Sequence, residues 1–324
     1  MSKFTEIPDK LVRQLAKIKE IKGIRGKEIE EIEQEIIKAG HESDLEYLND
    51  QLAFTGKISG LIIEKPIDAF PEDASNAANF ITRLKENKLI PNDVSKQKNW
   101  FVEYNDEIKI CGIKIEEESV FISTVEKKIS TYQTGWNKRS PNEYAYFASL
   151  VFHFTNQLIE YRCPVTSVNK YKKFALNILG LNEKVECARL TKLTPADARK
   201  VKENLKGSYT SEQISIPFSV GSITFTRGKS SVDLDIDPLM VIMKQALNDV
   251  NVPTDDKLDV VCKLDDFIDQ RTKVELPFSF EINLKSGGLK FKSGTITQGT
   301  IDHVVEAIIK VAFLDKQQDL AATI

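Results

Sequence analysis

Residues 184–190, Lys-Val-Glu-Cys-Ala-Arg-Leu, and residues 257–264, Lys-Leu-Asp-Val-Val-Cys-Lys-Leu, open two stretches that follow one plan. Each opening reads as a strand with a cysteine inside it. A helix is then expected over 194–205 in the first stretch and over 265–271 in the second. Both continue into a strand bearing Pro-Phe-Ser, at 217–219 and at 277–279. Both turn at a Gly-containing loop, Arg227-Gly228-Lys229 and Lys285-Ser286-Gly287-Gly288. Each returning strand hands over to an amphipathic helix, lined by Leu239, Ile242, Met243, Ala246 and Leu247 in one copy. Ile301, Val304, Val305, Ile308 and Ile309 line the other at a constant offset. The unit is β-α-β-β-α, used twice. One copy cannot bury its sheet face; two side by side give an antiparallel sheet covered by helices.

The stretches before this repeat complete an α+β chain. Leu11, Leu15, Ile18 and Ile21 recur at helical spacing, as do Ile29, Ile32, Ile36 and Ile37, and Gly23 and Gly26 separate the two runs. The first run is basic and the second acidic, so folding them back as a hairpin sets opposite charges together. Strands are expected near 58–64, 100–104, 107–115 and 120–125, and a helix over 73–87. Ser140-Pro141-Asn142-Glu143 has the residue types of a helix start. The aromatic run to Tyr161 therefore reads as a helix at the centre of a domain, with His153, Asn156 and Gln157 as polar residues within it. A further helix is expected over 165–181. The domains are accordingly a helical-hairpin arm at 1–55, an α+β domain with antiparallel strands around the aromatic helix at 56–182, and the duplicated α+β domain at 183–324.

Composition narrows the functional classes. With 45 Lys and Arg against 48 Asp and Glu, the formal net charge is -3. That is too little cationic charge to coat nucleic acid all over, though a local basic face stays open. No basic segment followed by an apolar run opens the chain, and no stretch approaches the ~20 apolar residues of a membrane-spanning helix. The four cysteines are scattered without a Cys-x-x-Cys pair, which argues against zinc or a disulfide framework and for a reducing, cytoplasmic setting. Three histidines make a histidine-based metal centre a poor expectation.

The sharpest chemical motif is Val220-Gly221-Ser222 followed by Asp233-Leu234-Asp235. Its pattern is similar to the signature of nucleotidyltransferases. The similarity implies Asp233, Asp235 and Asp259 holding Mg²⁺ on a nucleoside triphosphate, with Gly221 and Ser222 letting backbone amides approach the phosphates. Against it, the repeat matches 233–235 to Lys290-Phe291-Lys292 and Asp259 to Glu186, which are ordinary outward strand positions. Glu126-Lys127-Lys128, with Asp106 or Glu117 upstream, has the Glu-x-Lys spacing of metal-dependent nucleases but is common in charged strands. The loops of the repeat carry Arg227, Lys229, Lys285, Lys290 and Lys292. Related by a pseudo-twofold axis, these would form a basic rim able to meet nucleic acid or another anionic partner. The sequence therefore points to a non-enzymatic binding or assembly protein without a cofactor, oligomeric or partner-bound through residues 8–40, with the nucleotidyltransferase as the rival.

Overall fold

The structure, a computed structural model, describes residues 4, 7–55, 60–134, 136, 138–216, 221–228, 232–252 and 257–315. Residues 1–55 with 190–324 form one compact unit and residues 56–189 form the other. Two antiparallel sheets and eight α-helices among the described residues make the chain α+β.

Three helices come first: α1 (Asp9–Ile18), α2 (Ile29–Lys38) and α3 (Glu42–Leu52). The first two form the expected hairpin, and opposite charges do meet, with Lys27 Nζ 3.3 Å from Glu35 Oε1. The third helix adds Asp44, whose carboxylate lies 2.8 Å from Lys19. Leu11, Leu15, Ile32, Ile36, Leu45 and Leu48 are buried in one cluster with Val274 and Leu276. The apolar faces of residues 8–40 are thus used up inside their own unit. The arm expected at 1–55 belongs instead to the body formed with 190–324, and the oligomer contact placed there loses its apolar surface.

The unit at 56–189 holds β1 (Ile62–Pro66), α4 (Ala77–Glu86), β2 (Gln97–Asn99), β3 (Lys109–Glu116) and β4 (Ser119–Gln133). It continues with β5 (Arg139–His153), β6 (Leu158–Arg162), α5 (Val168–Leu179) and β7 (Cys187–Arg189). The strands lie in the order β2-β3-β4-β5-β6-β1-β7, every neighbouring pair antiparallel. Phe80 and Leu84 of α4 and Tyr171 and Leu176 of α5 join Ile113, Ile122, Leu150, Phe152 and Tyr161 of the sheet in one core. Local chemistry sets the helix ends: the Asn76 side chain accepts from Asn79 N, and Gly180 closes α5 at φ 86°, a conformation that favours glycine.

The helix expected at 140–161 is not there. Those residues form β5, a four-residue turn and β6. A run apolar on all sides looks the same as a buried helix or as a strand covered on both faces. Here pairing with β4 makes it strand, and its Tyr, Phe and Val side chains pack well on the pleated surface. Asn156 and Gln157 fall in the turn, where Gln157 takes φ 53°. Pro141 is tolerated because its strand has a partner on one side only at that point.

The chain then returns to the first unit with α6 (Pro195–Asn204), β8 (Ser208–Ile216), β9 (Gly221–Thr226) and α7 (Pro238–Asp249). It ends with β10 (Lys257–Leu264), β11 (Phe278–Asn283), β12 (Gly288–Ser293) and α8 (Gln298–Ile309). Thr194 and Asp197 cap α6 reciprocally around Pro195. The sheet order is β12-β11-β10-β8-β9. Two hairpins, β8–β9 and β11–β12, flank β10, and each leads into a helix. The rest of the proposed repeat is not matched. The strand at 187–189 pairs with β1 in the other sheet, and 265–271 is irregular with a single bridge from Ile268 to Glu275. What recurs is β-β-α. Pro217-Phe218-Ser219 lies outside the described residues.

Among the described residues no helix is long and apolar enough to cross a membrane. All four cysteines are free; Cys111, Cys163 and Cys262 are buried and Cys187 is partly so. Burial pushes the Cys111 thiol up to about 11 and those of Cys163 and Cys262 up to about 12.

Candidate functional site

The Asp-x-Asp pair lies just before α7 and faces cations. Lys202 Nζ, from α6, stands 2.7 Å from Asp233 Oδ2 and 3.0 Å from Asp235 Oδ2. Arg199 Nε donates to Asp235 at 3.1 Å. The other Asp233 oxygen accepts from the backbone N–H groups of Tyr209 and Asp235. Beside them the fully buried Glu212 takes Lys257 at 2.9 Å and Lys244 at 2.8 Å. The Tyr209 ring lies under Lys202 and Lys257, 4.6 and 5.5 Å from its centre. Burial raises the Asp235 carboxyl, but Lys202, Lys257 and Arg199 outweigh it and hold the group below its ordinary value. These carboxylates are neutralised by ammonium and guanidinium groups, so the cluster ties α6, α7, β8 and β10 together.

Asp259 is elsewhere. Its neighbour Val260 pairs with Glu212 and Ile282 on the buried face, so alternation along β10 sends Asp259 to the opposite face. There burial and nearby Glu281 raise its carboxyl, with Lys292 acting against them. The three aspartates therefore do not converge on one point, and their arrangement does not fit a two-metal centre. Among the described residues no group of three His, Cys, Asp or Glu side chains could hold a metal ion. Gly221 and Ser222 begin strand β9 rather than a helix, and Ser222 Oγ accepts from Gln213 at 2.8 Å.

The expected basic rim is dispersed as well. Lys285 lies in the β11–β12 turn, and Lys290 and Lys292 lie on the edge strand β12, where Lys292 pairs with Glu281. Arg227 follows β9 at the other lateral edge, with β8, β10 and β11 between it and Lys290 and Lys292 and at the opposite end from the Lys285 turn, its N–H bonded to Thr210 O. Lys229 is outside the described residues.

Two further polar groups have structural partners. Glu126 is buried and accepts from the Tyr171 hydroxyl at 3.0 Å, with Lys170 also bound to it. His153 sits in a chain: Ser119 Oγ is 3.0 Å from its Nδ1, its Nε2 is 2.7 Å from Glu160 Oε1, and Arg162 donates twice to Glu160 Oε2. Burial raises the Glu160 carboxyl, yet Arg162 and His153 prevail and bring it down to about 2.

The feature that sequence reasoning missed is what β4 and β5 do beyond the sheet. They pair along fifteen positions, from Ser119–His153 to Gln133–Arg139. Strand β3 covers β4 only as far as Val125, and β6 covers β5 only from Ser149. Residues 126–133 and 139–148 therefore continue as a two-stranded ribbon. Register places Tyr132 opposite Ser140, Lys128 opposite Tyr144 and Glu126 opposite Tyr146. Tyr132, Tyr144, Tyr146 and Lys128 consequently share one face. Lys128 Nζ lies 3.5 Å from the centre of the Tyr146 ring. Trp136 at the tip is 94% exposed, and Ile129 and Phe147 on the other face are exposed too. Lys138 and Arg139 flank the tip, exposed and with no acidic partner among the described residues. An isolated hairpin of this kind is marginal in water, and its exposed aromatics gain nothing by facing solvent.

No family model matches this chain, and no curated protein matches it.

Proposed function

We propose that the chain is a non-enzymatic binding protein that holds single-stranded nucleic acid along the tyrosine face of the β4–β5 ribbon. The observation that carries this reading is the alternation of Tyr132, Tyr144 and Tyr146 onto one face, Tyr132 and Tyr144 exposed and Tyr146 half-buried at its inner end, with Lys128 among them and Lys138 and Arg139 at the tip. Aromatic faces take unstacked bases of any sequence, and neighbouring cations follow the phosphates. The row from Tyr132 to the position of Tyr146 spans six residues of β4, roughly 20 Å at the rise of an extended strand. Duplex bases are already stacked, which leaves these rings without a partner in double-stranded nucleic acid.

Few phosphates are neutralised in this reading. Lys128, Lys138 and Arg139 together give a slope of log K against log salt of about -2, so doubling the salt weakens binding roughly fourfold. Fluorescence anisotropy of a labelled oligonucleotide at about 50 mM salt checks this, with its duplex as comparison. Tyr132→Ala combined with Tyr144→Ala is expected to lower affinity for the single strand at least about tenfold. Lys138→Gln with Arg139→Gln is expected to flatten the salt slope toward about -0.7. All four side chains are exposed, so thermal melting stays unchanged. Absence of binding, a preference for duplex, or a tyrosine variant that binds as well as the parent chain overturns the reading.

A further inference from the structure

Between the two open tyrosine rings of the ribbon lies a polar rung. Ser130 of β4 pairs with Asn142 of β5. The rungs on either side of it, on the same face, are Tyr132 opposite Ser140 and Lys128 opposite Tyr144. Tyr132 is 53% exposed and Tyr144 38%. Tyr146, one rung further in, is half-buried and has Lys128 over its ring. Bases are therefore expected on Tyr132 and Tyr144, which stand diagonally across the Ser130–Asn142 rung. Asn is depleted in strands and finds its ordinary use in turns and caps. Asn142 instead sits inside the fifteen-pair ladder, exposed, with no side-chain hydrogen bond among the described residues.

A base lying on a ring of the sheet presents its edge to the side chains that project beside that ring. Neighbours two residues along a strand are about 7 Å apart, and diagonal neighbours about 7–8 Å, a separation that long side chains bridge. Asn142 stands in the first relation to Tyr144 and in the second to Tyr132. Its amide offers N–H donors beside a carbonyl acceptor. That pair matches adenine, whose N6 amino group donates and whose N7 accepts. Guanine shows two acceptors on the same edge, N7 and O6, so the Asn carbonyl meets no donor there. Cytosine offers only a donor and thymine only an acceptor, so each takes one bond of the two. The Ser130 hydroxyl donates or accepts as required and suits any base.

We propose that Asn142 makes the tyrosine face prefer adenine among single strands. Its carbonyl accepts from N6, and its amide N–H donates to N7, of a base stacked on Tyr144 or Tyr132. This preference rests on the single-strand binding proposed above, which by itself is indifferent to sequence.

Fluorescence anisotropy with short labelled DNA strands tests it. One strand is thymidine throughout; the others carry adenine, guanine or cytosine at regular intervals, so that each binding register brings the base to the site. The adenine strand is expected to bind at least about fivefold more tightly than the thymidine strand, the lower end of what a bidentate pair provides, and the guanine strand is not. Asn142→Ala is expected to bring the adenine strand down to the affinity of the thymidine strand while both stay bound. Asn142→Asp keeps an acceptor and loses the donor, so its preference is expected to move from adenine to cytosine, whose N4 amino group donates. Because Asn142 is exposed, far-UV circular dichroism and the melting temperatures of both variants match the parent. Equal affinity of the parent chain for all the strands overturns the proposal and leaves single-strand binding standing. So does an adenine preference that survives Asn142→Ala. Absence of binding to every strand overturns the binding reading itself and the adenine preference with it.

Discussion

Replacing Glu160 by Gln is expected to lower unfolding free energy by about 3–5 kcal/mol at neutral pH, because Arg162 then loses the buried carboxylate it donates to twice. Glu160 is fully buried, and its carboxyl is brought from an ordinary 4.5 down to about 2. A carboxyl depressed on folding stabilises the folded state fully above its unfolded value and loses that contribution as pH falls through the folded value. The parent chain should therefore lose roughly 3 kcal/mol from this group between about pH 5 and pH 2. The Gln variant has no such group to titrate. Urea unfolding at several pH values measures both slopes. Equal slopes for the two proteins would mean that Glu160 is not held as an ion.

The second large effect is expected at Glu212. Its two oxygens face Lys257 and Lys244, and it is completely shielded from water. Glu212→Gln leaves those ammonium groups with Asp235, at 3.8 and 3.9 Å, as the remaining anion. A cost of about 3–5 kcal/mol follows from stranding buried charge. Adding Lys257→Met to that variant removes one of the stranded cations, so the double variant should recover a substantial part of the loss, a coupling that a double-mutant cycle isolates. Chemical denaturation of the four proteins gives the cycle. A single variant within about 0.5 kcal/mol of the parent, the range of ordinary surface changes, would show that Glu212 does not hold this end of the sheet.

Much of the fold is legible in the residues wherever the physics is local. Thr194-Pro195 with Asp197 marks the start of α6, and Gly180 marks the end of α5, because caps act within a turn of the chain. The run from Tyr144 to Tyr161 is not legible in that way. It has no period, so hydrophobic spacing does not oppose the helix that Ser140-Pro141-Asn142-Glu143 suggests. Fifteen cross-strand pairs with β4 decide it, and they depend on a partner segment. A clue lay in Thr155-Asn156-Gln157, a polar break that an uninterrupted helix has to ignore. Union of the first fifty residues with Val274 and Leu276 is likewise a matter of packing between distant segments.

The candidate sites show the same division. Asp233 and Asp235 stand out in the sequence, but the groups that meet them, Arg199, Lys202, Lys244 and Lys257, come from three elements. Two carboxylates at that spacing serve ammonium ions as well as metal ions. Tyr144 and Tyr146 stand out too, yet a helix assignment turns them into core. Only the register of β4 against β5 puts Tyr132, Tyr144 and Tyr146 on one face, with Tyr132 and Tyr144 exposed.

The distribution of thiols has a practical consequence. Cys262 belongs to the unit of residues 1–55 and 190–324, whereas Cys111, Cys163 and Cys187 belong to the other. With Cys262 and Cys163 shielded and their thiols pushed to about 12, an alkylating reagent at neutral pH meets almost no thiolate at either. Each compact unit thus carries its own latent clock. Peptide-resolved labelling during slow denaturation should reveal whether the two halves of this molecule open together or one before the other.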